Sequence, residues 1–418
     1  MVTITALGAV VGLVVAIILI MRKINPAYSL ILGSIIGGLV GGADIGQTVS
    51  LMISGAQGMI PAILRILTAG ILAGVLIETG AASKIAETIV EKLGESKAII
   101  AIVISTTILT MVGVFIDVAV ITVAPIAMAI AKKTNISRTG VLIAMIGGGK
   151  SGNIISPNPN AIAAADTFKV PLTSVMLAGV IPAIFGIIVS ILIAKLLSTK
   201  GSKIELVDID EKSTKDKPNF LAAIVGPLVA IIILALRPLF GIVIDPLIAL
   251  PVGGVIGCLA MGKIKNFNNY CVFGLGKMTG VAVLLLGTGT ISGIIANSAL
   301  KTVLTDFLTS TGAPAFLLAP LAGILMSGAT ASTTSGTAVG SQVFGSTLLE
   351  LGVPAINSAA MIHSGATVLD HLPHGSFFHA TGGSVSMSMK ERLSLIPFES
   401  LVGLTLTVVS TIIYGVFY

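Results

Sequence analysis

The sequence has little charge, few aromatic residues and almost no cysteine. Charged residues make up 10% of the 418 positions and aromatic residues 4%, and tryptophan is absent. A water-soluble domain of this length needs a charged surface, so the composition excludes an ordinary soluble protein. The two cysteines, Cys258 and Cys271, have no partner spacing, which argues against a disulfide framework and against a cysteine metal site.

Apolar residues are abundant instead. They make up 55% of the chain, and the mean hydropathy is +1.07. Runs such as Ala6–Ile20, Leu221–Leu236 and Leu401–Phe417 approach the ~20 residues that cross a bilayer. The chain is therefore predicted to be an all-α, multi-pass protein of the cell (inner) membrane. The net charge of +6 fits basic cytoplasmic loops, so the bilayer is the expected partner and nucleic acid is not.

The first apolar run is expected to stay in the mature protein. No basic residue precedes it, and Arg22 and Lys23 follow it, which is not the order of a cleaved secretory signal.

Two halves of the chain carry the same landmarks in the same order. Each has an apolar segment with a Gly-rich end, then a polar break, then a Ser-Gly interruption with prolines, at 69–94, 112–120 and 150–161 and again at 287–312, 327–338 and 363–375. We therefore predict a first repeat at 1–201, a second at 219–418, and a hydrophilic cytoplasmic linker at 202–218.

Basic residues indicate the direction of each half, because they collect in short cytoplasmic loops. With the N-terminus outside, Arg22 and Lys23 fall inside, and the second half begins inside. The halves are thus predicted to be inverted-topology repeats. The pattern predicts about ten transmembrane spans and two re-entrant hairpins, with hairpins at about 98–131 and 314–351 and broken spans at about 140–169 and 354–388.

Irregular backbone at membrane depth survives only where it is buried in protein or lines a wet cavity. Four breaks that meet near the midplane are the arrangement of secondary transporters, in which helix N-termini face an anion. The polar residues at these breaks are the candidate substrate ligands: Ser151, Asn153, Ser156, Asn158 and Asn160 in the first half, and Ser332, Thr333 and Thr334 in the second.

Lys150 is a charge inside an apolar segment, and we expect it to attract an anionic substrate. The alternative is a lysine that extends to the cytoplasmic interface. A phosphate-binding loop is not expected, because Ala144 stands where that motif needs glycine. Asp117, at the tip of the first hairpin, is expected to carry a proton or help hold a cation, unless it only caps nearby N–H groups.

All four histidines lie around the second break. His363 and Asp370 are candidates for proton relay or substrate contact. A metal site is a weaker alternative, because Pro373 separates His371 from His374 and no cysteine is near. Two further charged residues have other expected roles. Arg65 is expected to support an interface, and Asp166 is expected to be solvated near the outer end of its span.

Three stretches contain most of these polar residues and prolines. They are GVFIDVAVITVAPI at 113–126, SPNPNAIAAADTF at 156–168 and HSGATVLDHLPHGSFF at 363–378. These stretches resemble those of the gluconate permease family of the ion transporter superfamily. The resemblance covers most of both halves in order. It implicates Asp117, Ser156, Pro157, Asn158, Pro159, Asn160, Ser332, Thr333, Thr334, Ser364, Gly365, Asp370 and His371 in binding or ion coupling.

The resemblance implies a fold of two inverted repeats with two hairpins. It also implies a small hydroxylated or carboxylated organic anion such as gluconate as substrate, proton coupling, a homodimer, and an elevator motion of the hairpin-bearing domain. The chain departs from the family pattern at three positions. Lys150 stands where the family tends to have histidine, and Asn158 and Asn160 replace histidine and glycine.

Rival functions remain open. Sodium is the rival to the proton, because serine, threonine, asparagine and carbonyl oxygens also suit Na⁺. A membrane-embedded enzyme would need a nucleophile with a base or a set of metal ligands, and neither is evident, so no cofactor and no enzymatic activity are expected. A channel is disfavoured because no repeated filter is present and the internal inversion favours alternating access.

Overall fold

The computed structural model describes residues 4–204 and 217–417, and within these ranges the chain is built of α-helices without strands. Most of the predicted linker, at 205–216, lies outside the described residues. The helices of the first half are α1 (Ala6–Met21), α2 (Pro26–Val40), α3 (Ile45–Gln57), α4 (Ile60–Glu78), α5 (Ala81–Leu93), α6 (Ala98–Met111), α7 (Ile116–Lys133), α8 (Arg138–Asn153), α9 (Pro159–Phe168), α10 (Leu172–Ala178) and α11 (Val180–Leu197).

The described residues of the second half, 217–417, form a further series of helices. Its helices are α12 (Phe220–Phe240), α13 (Pro246–Ala260), α14 (Phe267–Ala296), α15 (Leu300–Thr311), α16 (Leu318–Thr330), α17 (Thr333–Glu350), α18 (Ala355–Gly365), α19 (Ser376–Ser384), α20 (Met389–Ser394) and α21 (Ile396–Thr411).

Several helices have the length and apolarity that a membrane span requires. Five described helices pass both criteria, or seven if each sharply bent pair counts as one span, and shorter apolar helices such as α1, α2 and α13 accompany them. The number of about ten spans stays a prediction, because it also counts helices shorter than about 18 residues.

Short local signals produce the two helix–turn–helix hairpins. α6 and α7 are separated by Gly113, whose φ of 101° suits glycine. α16 and α17 are separated by Ala331, with φ 47°, and by Ser332, whose hydroxyl accepts a hydrogen bond from the Ser335 N–H and caps α17. Both turns lie where the sequence predicts a hairpin tip.

Local signals also produce the two interrupted segments. In the first, α8 ends at Asn153, and α9 begins at Pro159 with Asn158 as its cap. Proline is favoured at the first helical position because the missing N–H has no helical partner there. In the second, α18 ends at Gly365 and α19 begins at Ser376, so ten residues of non-helical chain lie inside the protein.

The helices pack as two groups. The first, here called the frame, comprises α1–α4 and α12–α14, in which α14 lies along α2, α3 and α4. The second, here called the bundle, comprises α6–α11 and α16–α21, and it contains both hairpins and both interrupted segments. α5 and α15 connect the groups. The main frame–bundle contacts are those of α14 with α17, α4 with α9 and α1 with α16.

The α4–α14 crossing in the frame depends on glycine. A Cβ on Gly274 would lie 1.9 Å from the Gly70 carbonyl oxygen, whereas a Cβ on Gly276 of the same helix would meet nothing within 4 Å. We expect Gly274→Ala to lower the free energy of unfolding by about 1–3 kcal/mol or more, since backbone atoms must separate. Gly276→Ala is the matched control and should be neutral or slightly stabilising. Thermal unfolding in detergent measures both, and equal midpoints would contradict the close crossing.

Candidate functional site

The four breaks surround one large cavity of about 560 Å³. The bundle contributes the tip of the first hairpin, the first interruption, the tip of the second hairpin and part of the second interruption. The frame contributes the start of α2 and the middle of α14. The lining residues used below are Asn25, Pro26, Ile116, Asp117, Asn153, Asn158, Pro159, Asn160, Lys277, Val283, Ser332, Thr333, Thr334, Asp370 and Ser376.

Five helices begin at the wall of this cavity. They are α2, α7, α9, α17 and α19, each of nine residues or more, and the first residue of each lines the cavity. A helix N-terminus carries a partial positive charge and free N–H groups, which together favour an anion. Asp117 lies in the first turn of α7, and its negative charge partly offsets the positive charge of that N-terminus. The first turns of the other four helices contain no acidic residue. The cavity therefore favours a negatively charged ligand.

Asparagine and threonine side chains form the polar wall of the first break. The Asn158 Nδ2 donates to the Asn153 Oδ1 at 2.5 Å and to the Asn153 carbonyl oxygen at 2.6 Å. Thr334 of the second hairpin donates to the Asn160 Oδ1 at 2.5 Å, so the two halves meet here. Within the described residues, the buried Nδ2 of Asn153 has no hydrogen-bond partner. Asn153 lines the cavity, so this unpaired donor lies at its wall.

Lys150 lies behind this wall and not in it. Its side chain is fully buried, and its Nζ donates to the Asp370 Oδ1 at 2.6 Å and to the Thr367 carbonyl oxygen at 2.5 Å. Asp370 reaches the cavity, and its Oδ2 accepts a hydrogen bond from Thr333 at 2.5 Å. Lys150, which is expected from the sequence to face the substrate, thus pairs with a carboxylate of the protein itself. Asp370 lies between Lys150 and the cavity.

A chain of buried polar groups continues away from the cavity. The His371 Nδ1 lies 3.0 Å from both the Lys150 Nζ and the Asp370 Oδ1, and 4.0 Å from a carboxylate oxygen of Glu399. Glu399 forms a salt bridge with Arg392, and both side chains are buried. Sequence reasoning missed this second pair, although an acid beside Pro397 in an apolar run was an available signal.

The Arg392 guanidinium is held from several sides. Its Nε donates to the Phe378 carbonyl oxygen at 3.1 Å, and its Nη2 donates to the Thr381 hydroxyl at 3.2 Å. Its Cζ lies over the Phe378 ring, 4.4 Å from the ring centre. It therefore fastens α19 to α20 and α21.

The remaining predicted residues lie outside the cavity lining. Ser151 and Ser364 donate to carbonyl oxygens of their own helices, and Gly365 packs close to the Pro320 carbonyl of the second hairpin. Ser156 and His363 are buried, and the Ser156 Oγ and the His363 Nε2 lack a hydrogen-bond partner in the described part of the chain.

The other two histidines bond to the backbone. His374 lies 3.2 Å from the Ala329 carbonyl oxygen, and His379 lies 2.8 Å from that of Pro373. The described ranges contain no group of three or more histidine, cysteine or acidic side chains that could hold a metal ion.

Lys277 is a cavity residue that the sequence did not indicate. α14 begins at Phe267, and Lys277 on this helix lines the cavity. Its ammonium lies 5.4 Å from the centre of the Phe273 ring. Of the described residues that line the main cavity, Lys277 is the one with a basic side chain.

A second charged site joins the frame to the bundle on the α4–α9 side. Arg65 of α4 binds Asp245, which precedes α13, with nitrogen–oxygen distances of 2.7, 2.9 and 3.2 Å, and it also forms a salt bridge with Asp166 of α9. Hydrogen bonds from Arg65 hold the pKa of Asp245 below its ordinary value. The expectation of a solvated Asp166 is wrong, because its side chain is only 15% exposed and is paired.

Known proteins resemble this chain, some of them over its full length and others over about half of it. The model of the GntP family permeases matches residues 1–416. An uncharacterized transporter of Haemophilus influenzae is 63% identical over 417 residues, covering 100% of both chains. A gluconate permease of Bacillus licheniformis is 32% identical over 196 residues, covering 46% of this chain and 43% of that one.

The fold has a solved counterpart. The crystal structure of the YdaH transporter of Alcanivorax borkumensis superposes with a TM-score of 0.69 at 16% identity, covering 89% of this chain and 88% of that one. Because the matching family consists of permeases, the protein is a membrane transporter and not an enzyme. The chain belongs to the GntP family of permeases.

Proposed function

We propose that this protein is a secondary active transporter that carries a small organic (hydroxy)carboxylate, gluconate or a related acid, together with a proton. The observation that carries the proposal is the convergence of five helix N-termini on one cavity. Backbone N–H groups and helix dipoles there can hold the carboxylate of a substrate without an arginine side chain that forms a salt bridge with it. The substrate ligands in this proposal are Asn153, Asn158, Asn160, Thr334 and Lys277.

The size and polarity of the cavity support a small hydroxylated acid. A volume of about 560 Å³ falls within the range of ordinary small-molecule sites, about 300–1,000 Å³. Asparagine and threonine side chains suit hydroxyl groups, since they both donate and accept hydrogen bonds. A gluconate permease among the relatives supports a sugar acid as the first candidate.

The charges beside the cavity support proton coupling. Lys150 with Asp370, and Arg392 with Glu399, form two buried pairs of opposite charge, so the cluster has no net charge when His371 is neutral. An organic anion adds a negative charge next to Asp370. Uptake of one proton by Asp370 or His371 restores neutrality, which a low-dielectric site strongly favours. The anion and the proton are therefore expected to bind together.

The packing of the helices supports inverted repeats and a moving bundle. The α1–α2 contact of the first half corresponds to α12–α13 of the second, α6–α8 to α16–α18, and α8–α11 to α18–α21. Across the halves, α2–α14 corresponds to α13–α4. In this proposal the bundle carries the substrate past a fixed frame in an elevator motion, within a homodimer of the inner membrane.

Reconstituted protein provides the direct test. We expect saturable uptake of one acid from a panel of gluconate, lactate, glycerate, hydroxybutyrate and citrate when proteoliposomes carry an inward proton gradient. A protonophore should abolish accumulation, and an inward sodium gradient at equal pH should not drive it. Accumulation driven by sodium alone would replace the proton with Na⁺ as the coupling ion. If no acid moves under either gradient, the proposed substrate class is wrong.

A further inference from the structure

A second cavity lies between the frame and the bundle, at the Arg65 site. Its volume is about 370 Å³, and it is formed by α4, α9, the start of α10, and the loop that leads into α13. Five of its lining side chains are charged. Three are basic and two acidic, namely Arg65, Lys169, Arg237, Asp166 and Asp245. A cavity with an excess of basic groups attracts anions.

This cavity occupies the place that corresponds to the main cavity in the other half. The N-terminus of α13, at Asp245–Pro246, lies here, as the N-terminus of α2, at Asn25–Pro26, lies at the main cavity. α4 likewise stands in place of α14. Since Arg22 and Lys23 lie beside the start of α2, and are predicted to face the cytoplasm, the predicted topology places the second cavity toward the outside.

The two cavities differ in how frame and bundle are joined. In the register that matches Ala69 with Gly287, Arg65 corresponds to Val283, which lines the main cavity. The main cavity therefore has no arginine at this position. At the second cavity, Arg65 binds Asp245 of the frame through its Nε and Nη2, while its Nη1 binds Asp166 of the bundle. The Arg65–Asp166 salt bridge therefore crosses the boundary between the frame and the bundle.

We propose that the second cavity is the entrance site for the transported acid on the outer face, where the carboxylate of the acid binds Arg65 in place of Asp166. This inference rests on the proposed function. The Asp245 contacts hold the guanidinium in position, so one edge of it remains for a second carboxylate. Asp166 occupies that edge in this structure. Its Oδ2 has no hydrogen-bond partner among the described residues, so Asp166 is held less completely than Asp245.

Lys169 and Arg237 support an incoming anion at the same cavity. Both side chains are exposed and line it, and neither has a salt bridge within the described part of the chain. When the acid displaces Asp166, the link between α4 and α9 is broken, and the bundle is released to move. Arrival of the substrate is thereby coupled to opening on this face.

The test compares the two partners of one salt bridge. We expect Arg65→Ala to raise the KM for uptake from outside by roughly tenfold or more, because a charged hydrogen-bonding partner of the acid is lost. We expect Asp166→Asn to lower the same KM, because the competing carboxylate is removed. Initial uptake is measured in cells that lack their own uptake of the acid. The exposed residues Arg22 and Asp306, which line neither cavity, provide the control variants Arg22→Ala and Asp306→Asn.

Opposite changes in the KM of the two variants distinguish an arginine that binds the acid from a salt bridge that only holds the outer side closed. If the salt bridge only holds the outer side closed, Arg65→Ala and Asp166→Asn break it equally and change the KM in the same direction, which would overturn the proposal. Arg65→Lys should recover part of the affinity if the positive charge binds the acid. The amount of protein in the membrane and its thermal unfolding midpoint are measured for each variant, and both should match the wild-type values. If the wild type itself transports no acid, the proposed function fails first.

Discussion

Replacing Lys150 with methionine is expected to destabilise the protein by about 3–5 kcal/mol and to abolish proton-driven accumulation of the acid. The Lys150 ammonium carries a positive charge, and its Nζ lies 2.6 Å from the Asp370 Oδ1. Both side chains are buried. Without the ammonium, Asp370 must remain as an uncompensated buried carboxylate or take up a proton permanently. In either case it no longer binds and releases a proton with each transport cycle.

A double variant separates folding from coupling. Lys150→Met combined with Asp370→Asn removes both charges, so no unpaired charge remains, and we expect most of the lost stability to return. Proton-driven accumulation should not return, because the carboxylate that accepts the proton, or that pairs with His371 when that ring accepts it, is absent. Thermal unfolding in detergent and uptake into proteoliposomes give the two readouts. Wild-type accumulation by Lys150→Met would show that the pair has no part in coupling.

The breaks and their polar residues could be predicted because their causes are local. Asn158 and Pro159 start a helix by capping and by a fixed φ, and Gly113 permits a turn, so a few adjacent residues determine each feature. Lys150 was prominent for a similar reason, as a charge in an apolar segment. The two hairpin turns and the two interruptions therefore fall within the segments that the sequence indicates, although several helices are shorter than a full span.

The partners of these charges could not be predicted, because they depend on contacts between distant segments. Lys150 and Asp370 are 220 positions apart, and Arg65 and Asp245 are 180 apart. Single-sequence patterns contain no information on which of several charges meet in the folded protein. Lys277 was missed for a different reason. The polar residues at the start of α14 look like loop, whereas packing against the frame extends the helix through them.

Substituting Asn153 with aspartate is expected to remove most of the affinity for the acid. The change is nearly isosteric, and the Asn153 Oδ1 already accepts a hydrogen bond from Asn158, so a carboxylate oxygen can keep that contact. The free Nδ2 donor at the cavity wall is replaced by a negatively charged oxygen. At ~4 Å and an effective dielectric constant of ~20, two like charges repel by about 4 kcal/mol.

A repulsion of that size corresponds to a roughly thousandfold weaker affinity. Binding is measured by titrating the labelled acid into purified protein, and transport by uptake into proteoliposomes. Asn153→Ala is the matched variant, because it removes the donor without adding charge, and it should weaken binding by only about tenfold. If Asn153→Asp and Asn153→Ala weaken binding equally, the substrate carboxylate does not lie near Asn153. A loss restricted to the aspartate variant places the negative charge of the acid at the first break, where α9 begins.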